Sequence, residues 1–232
     1  MALDEAIEEM IEKTVKSDLE QAVKHMDKRA LILNSGLTRF AQFGLSKTSM
    51  QDIADCAGIS RASLYSYFKN KDEVFRSVSI LVHQEALQSA TTALEGAGNW
   101  TLGDQLISAL YARHGRFLRL VLESAQGAEL EDEYGRLCGD VVQDYGKKFE
   151  SLLTRFFTLA QSEGWVDLSA HDLRPARVAQ LLNLSAAGCK RNCRSMTEYQ
   201  KRVASLVHMT LGGLAWSGEG KNRPLKRVAK HR

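Results

Sequence analysis

Proline is nearly absent from this chain of 232 residues, where Pro175 and Pro224 are the two examples. Helix interiors can therefore run unbroken, and apolar residues recur at 3.6-residue spacing, so the expected fold is all-α. Cysteine is sparse too. Cys56, Cys138, Cys189 and Cys193 are scattered, which excludes a disulfide framework and reads as reduced thiols. Cys189 and Cys193 are four apart and can share a helix face as a metal or redox pair. The plainer reading is ordinary buried cysteine, since no cluster of histidine surrounds them, and the same plain reading covers His114 and His208. No apolar run approaches the span of a bilayer, and no basic and apolar leader opens the chain. The expectation is a soluble cytoplasmic protein with no membrane partner. A Gly-rich phosphate loop, a metal-ligand motif and a Gly-x-Ser-x-Gly elbow are all missing, and the acids are dispersed over helix surfaces. No enzyme, no metal and no cofactor are expected.

What is present begins with charge. The net value of +3 hides its distribution. Residues 1–22 sum to −5, residues 24–76 to +4, and the tail from Lys221 to Arg232 to +6. A positive segment in the middle of an otherwise balanced chain suits a phosphate-bearing partner. The tail can add nonspecific affinity for such a partner, or be a solvated end. Residues 1–27 form an acidic amphipathic extension, with Leu3, Ile7, Met10 and Ile11 at helical spacing and Ser17 with Glu20 as a second capping pattern. It either folds back onto the body or acts as an arm toward a partner subunit or DNA. With 44% hydrophobic residues, the chain can build a small head and a larger core.

The most informative stretch is Ile32 to Phe75. A helix is closed by Gly44. Thr48 and Ser49 both suit an N-cap, with Gln51 and Asp52 three places on, so either gives a capping box. The short helix from Ser49 to Ala57 carries Ile53, Ala54 and Ala57 on one face and ends at Gly58, where a positive φ is expected. Ser60 opens a second short helix anchored by Ile59 and Leu64, with Phe68 closing the small core. Arg61, Ala62, Ser63, Tyr65, Ser66 and Tyr67 are left facing outward. A surface of Arg, Ser and Tyr without an acid tolerates a phosphate-lined groove. Asn70 caps the next helix, and Lys71 stands at its N-terminus, where a phosphate would meet both charge and dipole. Two short helices crossing at a glycine form a helix-turn-helix, whose second helix fits a DNA major groove.

These residues closely resemble the DNA-binding domain of the TetR family of bacterial repressors. The matching positions are Thr48 to Ala54, then Ala57 to Ser60, then Leu64 to Lys71, within a stretch from about Lys28 to Phe75. Two positions depart from the family pattern: Gly36 stands where Ala is usual and Val74 where Leu is frequent. Against Ala, a helical Gly at position 36 costs roughly 1 kcal/mol. The resemblance implies that Thr48, Ser49, Tyr67 and Lys71 hold phosphates, and that Arg61, Ala62, Ser63 and Tyr65 lie near base edges. Arg61 can grip guanine bidentately or contact a phosphate. Tyr65 reaches DNA or packs partly on the first short helix. Ser60 serves as an N-cap, as a DNA contact, or as both.

Four segments follow: the extension 1–27, a DNA-binding head 28–75, a helical body 76–216, and a basic tail 217–232. In the body, helices are expected from Lys71 to about Leu94, from Leu102 to about Ala125 with an interruption near Gly115, from Glu131 to Glu163, from Asp172 to Cys189, and from Thr197 to Ala215. The resemblance implies that the last two, about 172–189 and 197–215, pair with a second copy as a homodimer, the alternative being ordinary intrachain core. A two-fold pair is also a physical need, because one small head reads only a few base pairs of double-stranded DNA. The resemblance further implies a small-molecule effector in the body. Tyr111, His114, Phe117, Leu118, Phe149, Phe156 and Trp165 are its candidate lining, and core is their other reading. Such a mix favours an apolar or amphipathic ligand. The expected function is a ligand-released repressor on a palindromic operator. The competing one is a helical interaction module that answers to a protein partner.

Overall fold

Helix-forming segments and their caps account for the architecture, seen here in a computed structural model that describes residues 28–96 and 98–214. The described residues form eight α-helices and no strand. They are α1 (28–47), α2 (Met50–Ala57), α3 (Arg61–Tyr65), α4 (Lys71–Glu95), α5 (Leu102–Glu123), α6 (Gly127–Ser162), α7 (Pro175–Gly188) and α8 (Met196–Gly213). None of the helices searched is long and apolar enough to cross a membrane. The extension 1–27 and the tail 217–232 lie outside the described residues. The chain divides into two units between Val78 and Ser79, inside α4.

In the first unit the caps do much of the specifying. Of the two candidate caps before α2, Ser49 takes the role: its Oγ accepts from the Asp52 N–H at 3.2 Å, and Asp52 Oδ2 accepts from the Ser49 N–H at 2.8 Å. Two amide protons with no helical partner are satisfied reciprocally. Gly58 ends α2 in the left-handed region at φ 63°, and the N–H groups of Gly58 and Ile59 return to the carbonyls of Asp55 and Ala54. Gly44 also takes a positive φ, 80°, yet helical bonding continues to residue 47 beyond it. Before α4, Asn70 Oδ1 accepts from the Glu73 N–H, while Glu73 reaches back to the Lys69 N–H. Ile32, Phe40, Ile53, Leu64 and Phe68 are almost fully buried, and the Phe40 and Phe75 rings meet edge to face at 5.3 Å. Side chains of this size contribute about 1.5–3 kcal/mol each on burial.

The second unit packs α5 against α8 and α6 against α7, with α7 and α8 in contact. Phe149, Leu153, Phe157 and Ala160 form the buried stripe of α6, within a core shared with Leu106 and Leu110 of α5, Val178 and Leu182 of α7, and Tyr199, Val203 and Val207 of α8. A capping box of Thr101 and Asp104 opens α5.

Several helix limits differ from expectation. α5 runs without interruption through Gly115 and stops at Glu123. One mid-helix glycine costs about 1 kcal/mol, less than the packing on both sides returns. α6 starts a turn early, at Gly127, where Gln126 offers no side-chain cap to betray the start. α7 begins at Pro175, since proline suits a first turn; Asp172 is left-handed at φ 51° after a short 3-10 turn, Ser169–His171.

Candidate functional site

α3 is five residues long and starts from Ser60, whose Oγ accepts from the Ser63 N–H at 3.1 Å. Leu64 is its single fully buried side chain and pins it to the head. Arg61, Ala62, Tyr65 and Ser66 point to solvent, and Tyr65 is 43% exposed. The Arg61 guanidinium lies 5.5 Å from the Tyr65 ring centroid and within 3.4 Å of its hydroxyl. This i, i+4 pair presents a planar cation braced by an aromatic ring, with no acid on α3. Such a surface can grip a planar acceptor edge or a phosphate.

The other candidate DNA-binding residues are placed differently. Ser49 is exposed but also holds Asp52, whose carboxyl is kept below its ordinary range by the Ser49 hydroxyl and N–H. Ser63 and Tyr67 are half-buried. Thr48 is buried, and its hydroxyl donates to the Gly44 carbonyl at 2.7 Å. The Lys71 ammonium donates to the carbonyls of Leu45, Ser46 and Thr48 at 2.7, 2.9 and 3.1 Å, which accounts for its three protons. These two side chains therefore close the end of α1 in this conformation rather than standing free for a phosphate.

In the second unit the seven candidate effector residues are placed differently from one another. Leu118, Phe149 and Phe156 are core. Trp165 packs against that core, and Tyr111 tilts toward Tyr199 with ring centroids 6.3 Å apart. Phe117 stacks on Tyr134 at 3.8 Å. His114 Nε2 meets Asn183 Oδ1 at 3.1 Å, and the Asn183 amide donates to Glu150, so one chain of bonds ties α5, α7 and α6. Burial pushes the His114 pKa well below its ordinary value, so the ring is neutral and donates from Nε2. A cavity of about 320 Å³ lies between α7 and α8, lined by Val178, Leu181, Leu182, Leu206, Met209 and Leu214 among others. None of the seven candidates lines it.

A second polar cluster was not among the candidates. Arg113 of α5 is 7% exposed, and its Nη1 donates to His83 Nδ1 of α4 at 3.0 Å. His83 Nε2 then contacts the Tyr134 hydroxyl of α6. The His83 ring stacks on Tyr145. Burial, then the charges of Arg113 and Lys190, push the His83 pKa down to about 4. The sequence signal was available: Arg113 follows Leu106, Ala109 and Leu110 on the apolar stripe of α5, where a cation is out of place.

Comparison with known proteins agrees with the geometry of the head. Residues 32–78 match the sequence profile of the bacterial regulatory proteins of the tetR family. An uncharacterized HTH-type transcriptional regulator of Bacillus subtilis, YhgD, is 34% identical over 70 residues, 30% of this chain and 37% of that relative. The probable acrEF/envCD operon repressor of Escherichia coli K12 is 38% identical over 50 residues, 22% of this chain and 23% of the repressor. The chain thus matches less than two-fifths of either relative's own length. The crystal structure of a transcriptional regulator from Cytophaga hutchinsonii superposes with a TM-score of 0.67 at 18% identity, covering 81% of this chain and 98% of that one, so the fold extends well beyond the head. With a locked helix-turn-helix and a matching profile, residues 32–78 form a head of the tetR family of bacterial regulatory proteins, and the described chain shares an all-α fold with a solved transcriptional regulator.

Proposed function

We propose that this protein is a transcriptional regulator that binds a palindromic operator in double-stranded DNA as a homodimer. In this reading it represses until a small apolar or amphipathic effector draws it into a shape that no longer fits both half-sites. The observation that carries the reading is α3: a short helix, fixed at both ends, offering Arg61 and Tyr65 to solvent with no carboxylate beside them on the helix. The repressor relative supports the sign of regulation. The dimer reading is supported by α7 and α8, which leave Leu181, Leu184 and Met209 at 44%, 58% and 76% exposed. Large apolar side chains left open on two neighbouring helices favour burial against a partner. A second copy also supplies the second head that a specific site requires. Release by an effector demands only that it bind the DNA-incompetent shape more tightly.

The test is a gel shift of the full chain on the DNA upstream of its own gene, with scrambled DNA as competitor and salt varied. Specific binding that weakens steeply with salt is expected. No retardation even at low salt would leave a helical module serving a protein partner as the better account.

A further inference from the structure

Arg113 is a cation where a helical core normally puts a hydrocarbon. It is 7% exposed, and among the described residues no carboxylate pairs with it. Its Nη1 donates to His83, its Nη2 reaches the Val142 carbonyl only at 3.5 Å, and its Nε has no hydrogen-bond partner. Guanidinium does not deprotonate in proteins. A buried charge without a counter-ion is costly and is kept where something offsets it.

The surroundings deepen the deficit. An arginine can only donate, so His83 Nδ1 must accept, and the ring proton sits on Nε2 toward Tyr134. The imidazole is therefore neutral and gives Arg113 no charge. Tyr134 and Tyr199, the groups that would favour the cation if ionised, have hydroxyls pushed above their ordinary pKa by burial and stay neutral. Lys190 adds a second positive charge, but Glu131 acts on it. The charge of Arg113 itself remains without a counter-ion. Around it stand aromatic faces: His83 on Tyr145, and Phe117 on Tyr134. Tyr134, Phe117 and Lys190 are only partly buried, so the cluster lies close beneath the surface of its unit.

We propose that Arg113 anchors a site for a small monoanionic carboxylate with an apolar body, and that this anion is the effector. The carboxylate accepts from the guanidinium through Nε–H, and the apolar body lies along the edges of the stacked aromatic pairs. A monoanion matches the single unbalanced charge, and two oxygens match the planar donor edge. The role of effector rests on the regulatory reading above; the anion site itself does not.

The experiment compares the full chain with Arg113→Met, using decanoate as the probe and decanamide as its neutral counterpart. Decanoate is expected to raise the melting temperature of the parent protein while decanamide does not. Arg113→Met is expected to weaken decanoate binding on the order of ten- to a hundredfold. Without probe, Arg113→Met is expected to melt no lower than the parent, because an apolar side chain of similar length removes a charge that nothing offsets. The proposal is overturned if decanoate fails to bind, if decanamide binds as well, or if Arg113→Met melts lower or does not fold, since the guanidinium is then structural. Gel shifts separate the two readings. Decanoate binding without release of operator DNA removes the effector role and keeps the anion site, whereas operator binding without decanoate binding removes the site and keeps the regulator.

Discussion

Lys71 carries a charge whose destination could not be read from its neighbours in sequence. At the start of α4 it has the position and the sign for a phosphate contact, yet its ammonium is spent on three carbonyls 23 to 26 residues earlier. Two of those carbonyls belong to the last turn of α1, where helical acceptors run out of partners, and the third lies just beyond it. Lys71→Met is therefore expected to lower the stability of the head by roughly 1–3 kcal/mol. Measured where both proteins are folded, the salt dependence of DNA binding should keep its slope, whereas loss of a phosphate contact would reduce that slope by about one. Arg61 is the opposite case. Its outward position was expected from the helix spacing and is seen, and the tertiary structure adds its brace on Tyr65. Arg61→Ala is expected to relax preference at one base position in a binding selection, with a cost of about 1–3 kcal/mol at that position. An unchanged preference would reduce Arg61 to a phosphate contact.

Between elements, the two departures from the family pattern prove to be one feature. A Cβ at Gly36 of α1 would stand 2.8 Å from Val74 Cγ1 of α4 and 3.4 Å from the Phe40 ring. Val74 is fully buried, and a β-branched side chain in a helix has little rotamer freedom to retreat. The glycine is thus the partner of the valine, letting α1 and α4 approach closely. Helix propensity alone says Gly36→Ala should stabilise by roughly 1 kcal/mol; the packing says it should destabilise. Thermal melts are expected to show Gly36→Ala lowering the midpoint in the parent protein and raising it in a Val74→Ala background. Additive effects would mean the contact does not matter. Helix starts with side-chain caps, such as Ser49 and Ser60, were legible because a cap acts within three residues. The start of α6 had no cap and was misplaced.

For the whole molecule, buried histidines set the response to acid. Between about pH 6.5 and about pH 4 the unfolded chain takes up a proton at His83 that the folded protein refuses, so stability is full above this window and falls as pH drops through it. The shift corresponds to about 3 kcal/mol at most, and His114 acts in the same direction. Asp52, Asp104 and Asp167 have lowered pKa values, so the stability they lend is lost only at pH below the ordinary carboxylate range. Denaturant melts should therefore weaken from about pH 6.5 to about pH 4.5, and less steeply in His83→Gln. A flat profile in the parent protein would contradict the burial of both rings. Assembly is tested at the same scale. Leu184→Glu on α7 places a charge among exposed apolar side chains, and sedimentation should show a monomer of unchanged helix content that no longer retards operator DNA. A persistent dimer would move the interface elsewhere.

The head was determined by the sequence itself: its capping serine, its left-handed glycine, its apolar anchors and its outward Arg and Tyr all act over a few residues, and local rules suffice for them. The tertiary structure alone decided where Lys71 and Thr48 spend their donors, that the candidate effector residues are mostly core, and that Arg113, His83 and Tyr134 meet from three helices, with the histidine 30 residues from one partner and 51 from the other. Those pairings depend on how helices cross. Crossing is set by the packing of many side chains together, which no single segment of the chain encodes.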